Sequence, residues 1–203
     1  MKGDKIYMTI KKTHLNEYQA NQLKKVFSDI SLGSIYRFQK PTNAHVALLY
    51  PINDLLLFED QYVALLNTIR FLKEEKIYVI QTEKDSDLFC EATDVYEFDI
   101  SSSFQEYQKL PIYSISLLFS NSMKWFLLTD ETLEGGIGLL ISDKDTIEQF
   151  KRIYGRCDQD ICAFVAFSLK DADRNQHSID NLSKIISCLY DRCHYGLYRR
   201  RHE

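Results

Sequence analysis

The chain has 203 residues, a net charge of −4, 45% apolar and 13% aromatic residues, and only seven glycines and three prolines. That is enough apolar mass for one sizeable core and too little Gly and Pro for long linkers, so a single domain over residues 1–203 is expected. The acidic balance argues against general nucleic-acid binding, and no window reaches the roughly eighteen apolar residues of a membrane span.

The first residues, MKGDKIYMTIKK, lack the apolar stretch of a signal peptide. Five cysteines, an odd number, then point to reduced thiols and a cytoplasmic location. Lys5–Ile10 alternates and is rich in β-formers, so it reads as a strand. A helix is expected from about Leu15 to Ile30, with Leu15, Tyr18, Gln22, Val26 and Phe27 at spacings of three and four. Thr13 or Asn16 is its candidate cap, and Gly33 its stop. Ile35–Phe38 and His45–Tyr50 read as strands joined by a turn at Pro41-Thr-Asn43. A second helix is expected over Asp60–Glu75, with Tyr62, Leu65, Leu66, Ile69 and Leu72 inward. Short strands follow at Ile77–Gln81 and Val95–Ile100, then a short helix capped by Ser102 or Ser103 that stops before Pro111.

Residues 113–141 predict a three-stranded antiparallel meander: Tyr113–Phe119, Trp125–Thr129 and Gly138–Ile141. Ser142 is the expected cap of a helix running to Tyr154, with Asp143 and Asp145 in its first turn and Gly155 closing it. The apolar run Cys162–Leu169 suits either a buried strand or a buried helix. Ser178 caps an expected last helix to about Tyr190. The tail 197–203, with three consecutive arginines, reads as a disordered terminus. Together these elements predict an α+β fold: a largely antiparallel sheet with three to five helices packed against it. The long early helices leave room for one parallel strand pair.

Charge is segregated along the chain. Between Gln81 and Glu106 eight acids face only Lys84, a net of −7, whereas the first forty residues carry +5. A surface field of one sign attracts a partner of the opposite sign and speeds encounter. The candidate partner-binding residues are therefore Glu83, Asp85, Asp87, Glu91, Asp94, Glu97 and Asp99. Asp130, Glu131 and Glu134 join them from the neighbouring turn, and Phe104 and Tyr107 are candidate aromatic anchors. Oligomeric state is not legible in the sequence.

Other patterns carry less. Gly135-Gly136-Ile137-Gly138 lies between strands and does not open a helix, so it reads as a hairpin turn and not a phosphate loop. Cys157, Cys162, Cys188 and Cys193 with His194 resemble two halves of a zinc site, but the four-residue gaps and the helical place of Cys188 favour core cysteines. No two histidines have the helical metal-site spacing, and the acids lack the EF-hand order. No catalytic residue, metal ligand or cofactor is assigned.

The stretch Lys124-Trp-Phe-Leu-Leu-Thr-Asp-Glu131, followed by Gly135-Gly-Ile-Gly-Leu139 and by Ser142-Asp143 before a helix, resembles bacterial immunity proteins. These are cytosolic antidotes encoded beside polymorphic or contact-dependent toxins. The resemblance spans about thirty of the 203 residues. It implies a non-catalytic protein that binds and neutralises a basic toxin domain through an acidic surface. The alternative is a metal-dependent hydrolase or nucleotide-modifying enzyme using acids near 85–99.

Overall fold

The computed structural model describes residues 10–27, 43–81, 95–113, 115–131 and 135–172, and near the C-terminus residues 182, 183, 185–187 and 189. Its frame is one seven-stranded sheet. The strands are β1 (Lys11–Thr13), β2 (His45–Leu49), β3 (Lys76–Gln81), β4 (Val95–Asp99), β5 (Ser116–Ser120), β6 (Trp125–Asp130) and β7 (Ile137–Ser142). They lie in the order β1-β4-β3-β5-β6-β7-β2. Every described pairing is antiparallel, so the room left for a parallel pair is not used.

The meander forms as expected. Leu117 opposes Leu128, which in turn opposes Leu139. These strands read as continuous apolar runs because both faces of the sheet are covered. Val46, Leu48, Tyr78, Leu117, Phe119, Phe126, Leu128, Leu139 and Ile141 point to one side. There they meet Leu23 of α1 (Glu17–Phe27), Phe164 of α5 (Cys157–Ala172) and Ile185. Ala47, Leu49, Ile77, Val79, Leu118, Trp125, Leu127 and Leu140 point to the other. On that side lie α2 (Glu59–Arg70), α3 (Phe104–Tyr107) and α4 (Lys144–Tyr154). The alternation is the two-residue period of a strand, with apolar groups demanded at both phases. At full burial each such side chain contributes about 1.5–3 kcal/mol.

Local chemistry sets the helix ends. Asn16 caps α1: its Oδ1 accepts from the Gln19 N–H at 2.8 Å, and Gln19 Oε1 accepts from the Asn16 N–H at 3.0 Å. Ser103 and Glu106 form the same reciprocal box on α3. The cap of α4 is Asp143, whose carboxylate accepts from the Thr146 N–H at 2.8 Å. Ser142, the expected cap, instead ends β7 and donates its hydroxyl to the Lys124 carbonyl. Gly155 closes α4 at φ 70°. Helix α2 stops at Arg70, short of the expected Glu75, because the chain tightens there and Lys73 turns left-handed at φ 57°.

Cys162–Leu169 resolves as helix, the middle of α5. This helix starts with Cys157 packed in the second layer and places Phe164 in the first, so it passes the β2 edge of the sheet. The expected strand Ile35–Phe38 and the cap Ser178 lie outside the described residues, as do the arginine tail and most of the expected Lys5–Ile10 strand. Among the described residues no helix is long and apolar enough to cross a membrane.

Candidate functional site

Where β2 ends, its chain turns outward through Tyr50 and Pro51, and three other elements converge on that point. They are the N-terminus of α2, the C-terminus of α4 and the first turn of α5. Between them lies an open cleft of about 700 Å³. The α4–α5 junction is tight because Gly155 adopts a left-handed conformation that other residues reach only at a cost. That turn brings Tyr154 and Asp160 to one wall of the cleft.

Asp160 is the hub. It is 2% exposed, and its Oδ2 accepts two hydrogen bonds, from the Tyr50 N–H at 3.1 Å and the Tyr154 hydroxyl at 2.9 Å. Burial raises its carboxyl above the usual carboxylate range, and those two bonds act in the opposite sense. Gln61, also buried, donates from Nε2 to the Pro51 carbonyl at 2.8 Å and to the Tyr154 hydroxyl oxygen at 3.4 Å. Its Oε1 accepts from the Phe58 N–H at 3.0 Å and so fixes the start of α2. A chain of bonds thus runs from Gln61 through Tyr154 to Asp160 and ties four elements together.

The rim is charged and apolar by turns. Arg156 Nη1 donates to Asp60 Oδ2 at 2.8 Å, with both side chains about half exposed. Such a pair stabilises by at most about 1 kcal/mol. Phe58 and Val63 stand 42% and 45% exposed beside it, and Glu59 completes the edge. Glu59 and Asp60 against Arg156 leave the rim with one formal negative charge in excess, and the Asp160 carboxyl lies on the wall behind it.

Burial acts on the titratable groups here in the same sense, raising the Asp160 carboxyl and the groups beside it. Burial pushes the Tyr154 phenol up, away from pH 7, and its proton is committed to Asp160. Cys157, one turn earlier on α5, is buried with its thiol pushed up to about 12, chiefly by desolvation, which makes it an inert core thiol.

No family model, curated protein or solved structure matches this chain.

The acids and aromatics singled out from the sequence fall elsewhere. Glu83, Asp85, Asp87, Glu91, Asp94 and Glu134 lie outside the described residues. Glu97, on β4, is ion-paired with Lys76 at 2.5 Å, and that bond raises the Lys76 ammonium above its usual range. Asp99 accepts from the Ser101 hydroxyl and N–H, which hold its carboxyl below the ordinary value. Glu131 is exposed just beyond β6.

Two candidates, Tyr107 and Asp130, are corrected by burial, and Phe104 is half-buried. Tyr107 has no exposed surface: its ring stacks on Tyr62 at 4.3 Å and its hydroxyl accepts from the Leu57 N–H at 3.0 Å. Phe104 packs beside the same pair at 6.0 Å from Tyr62 and keeps part of its surface exposed. Asp130 has no exposed surface at the end of β6. Tyr107 lies on the inward face of α3, and Asp130 ends a strand whose two faces are both covered.

Of the cysteines, Cys157 is buried and Cys162 exposed, both as free thiols. Cys188, Cys193 and His194 lie outside the described residues, and among those described no three His, Cys, Asp or Glu gather as a metal site. Sequence reasoning did not reach Asp60, Gln61, Tyr154, Arg156 or Asp160. The one signal was the pair Asp158 and Asp160 ahead of an apolar run, which marks a helix start but not what the carboxylate meets.

Proposed function

We propose that this chain is a non-catalytic cytoplasmic protein that binds and neutralises a basic partner protein, of the kind a bacterial toxin domain would be. The observation that carries the reading is the cleft at the end of β2. Its interior polar groups bond chiefly to one another, while its rim leaves apolar surface and excess negative charge facing outward. A site built for chemistry keeps a titratable group poised for transfer. Here the phenol is moved away from neutrality and donates to Asp160, whose carboxyl is raised by burial but already accepts from two buried groups. Apolar anchors within a charged rim are the ordinary anatomy of a recognition surface. The −7 segment between Gln81 and Glu106 supports the same partner chemistry by long-range attraction. The hydrolase alternative draws no support from Glu97 or Asp99, which are engaged by Lys76 and Ser101.

The test is co-expression with a toxin domain encoded beside this gene. Growth should be rescued and the two proteins should co-purify; a toxin that kills at full potency and forms no complex would refute the reading. In stopped-flow mixing, changing Glu83, Asp85 and Asp87 to lysine should slow association and flatten its salt dependence. An unchanged rate would reduce that segment to a solvated face.

A further inference from the structure

We propose that the cleft is a socket for an arginine side chain presented by the partner; this rests on the partner-binding reading above. Three observations converge on a guanidinium. The first is an unused acceptor. Asp160 is 2% exposed, and both of its bonds fall on Oδ2. Among the described residues no donor reaches Oδ1, although Asp160 lines the cleft. That oxygen is not among the sealed, unsatisfied atoms of the core, so it is open to the cleft, where a cationic donor would replace water with a charge-assisted bond.

The second observation is the balance of charge. Arg156 is taken by Asp60 at 2.8 Å, so the two cancel. Glu59 remains at the rim with no ion pair among the described residues, and the Asp160 carboxyl on the wall has only the longer-range attraction of Arg156. The third is shape. The volume of about 700 Å³ falls in the range of roughly 300–1,000 Å³ typical of sites that bury a ligand. Its exposed apolar surface includes the ring of Phe58, 42% exposed at the mouth. A guanidinium is flat, weakly hydrated and able to stack on an aromatic face while its edge donates to carboxylates. An ammonium is compact and keeps its water. The stem of the arginine would lie along Pro51 and Val63 as its head reaches Asp160.

The experiment titrates the full chain with acetyl-Gly-Arg-Gly-amide, followed by amide shifts in NMR and by calorimetry. The arginine peptide should bind in the millimolar range and shift the amides of Tyr50, Phe58 and Asp160. Its citrulline counterpart, the same shape without charge, should bind at least about tenfold more weakly, as loss of one charge-assisted bond implies. The lysine peptide should also be weaker. Asp160→Asn should weaken the arginine peptide by a similar factor. The fold is retained in that variant, because the amide oxygen still accepts from Tyr50 and Tyr154. Equal binding of the citrulline or lysine peptide would overturn the assignment. So would undiminished binding to Asp160→Asn, or no binding of the arginine peptide. These failures are separable from failure of the partner reading. If toxin rescue survives in Asp160→Asn and the peptide does not bind, the socket is wrong and the partner reading stands. If the peptide binds through Asp160 but no protein complex forms, the reverse holds.

Discussion

Replacing Asp160 by alanine removes the acceptor for two buried donors at once. The Tyr50 N–H and the Tyr154 hydroxyl lose bonds of 3.1 and 2.9 Å. Each donor left without a partner costs about 1–3 kcal/mol, so the outer limits are about 2–6 kcal/mol. Two effects pull the figure down. Water entering the cleft can serve the Tyr154 hydroxyl, and the desolvated charge itself disappears. The expected loss is therefore about 2–3 kcal/mol, a large share of the roughly 5–15 kcal/mol that holds a domain together. Asp160→Asn keeps an acceptor oxygen in place and should stay within about 1 kcal/mol of the parent. Both variants lose the acid in the first turn of α5, so their difference isolates the acceptor.

The assay is urea denaturation at pH 7, followed by fluorescence of Trp125, the sole tryptophan and fully buried. The sign of the pH dependence follows from burial. The folded-state pKa of Asp160 is raised above its unfolded value of 3.8, so the stability it contributes is present below that value and lost as pH rises through the folded one. The parent should therefore gain stability relative to Asp160→Asn as pH falls from neutrality toward 3.8. Equal losses for the alanine and asparagine variants, or an alanine cost under about 0.5 kcal/mol, would refute the hub.

Three further outcomes test the packing. Gly155→Ala should cost only the left-handed strain of about 1–2 kcal/mol, since nothing lies within 4 Å of the added methyl. Gly136→Ala should cost more, about 2–5 kcal/mol in the same denaturation assay, because its methyl would sit 2.3 Å from the Asp54 carbonyl oxygen. Under native conditions iodoacetamide should label Cys162 and spare Cys157, read by mass spectrometry of the peptides; equal labelling would show that the α4–α5 junction opens.

The meander over 113–141, the capping of α3 by Ser103 and the Gly155 stop were legible because each is local. Turn glycines, caps and apolar runs act over a few residues. Cys162–Leu169 stayed ambiguous because a fully buried segment loses the periodicity that separates helix from strand. The cleft was not legible at all. Gln61 meets Tyr154 across 93 residues and Tyr50 meets Asp160 across 110, and nothing at any one position announces the other. The acidic segment was legible as charge but not as surface. Glu97 and Asp99 had partners close at hand in Lys76 and Ser101, one brought by the β3–β4 pairing and one by the turn that follows.

Strand β2 lies at the end of the sheet and pairs only with β7 among the described strands, Leu49 opposite Gly138. Its partner thus leaves the ribosome roughly ninety residues later, an interval on the order of 5–20 s at about 5–20 residues per second. Throughout that wait the segment His45-Val-Ala-Leu-Leu49 has neither a neighbouring strand nor the α5 helix that later runs past it. The nascent chain therefore carries an unpaired apolar ribbon for a little under half of its synthesis, the interval in which it is most open to aggregation.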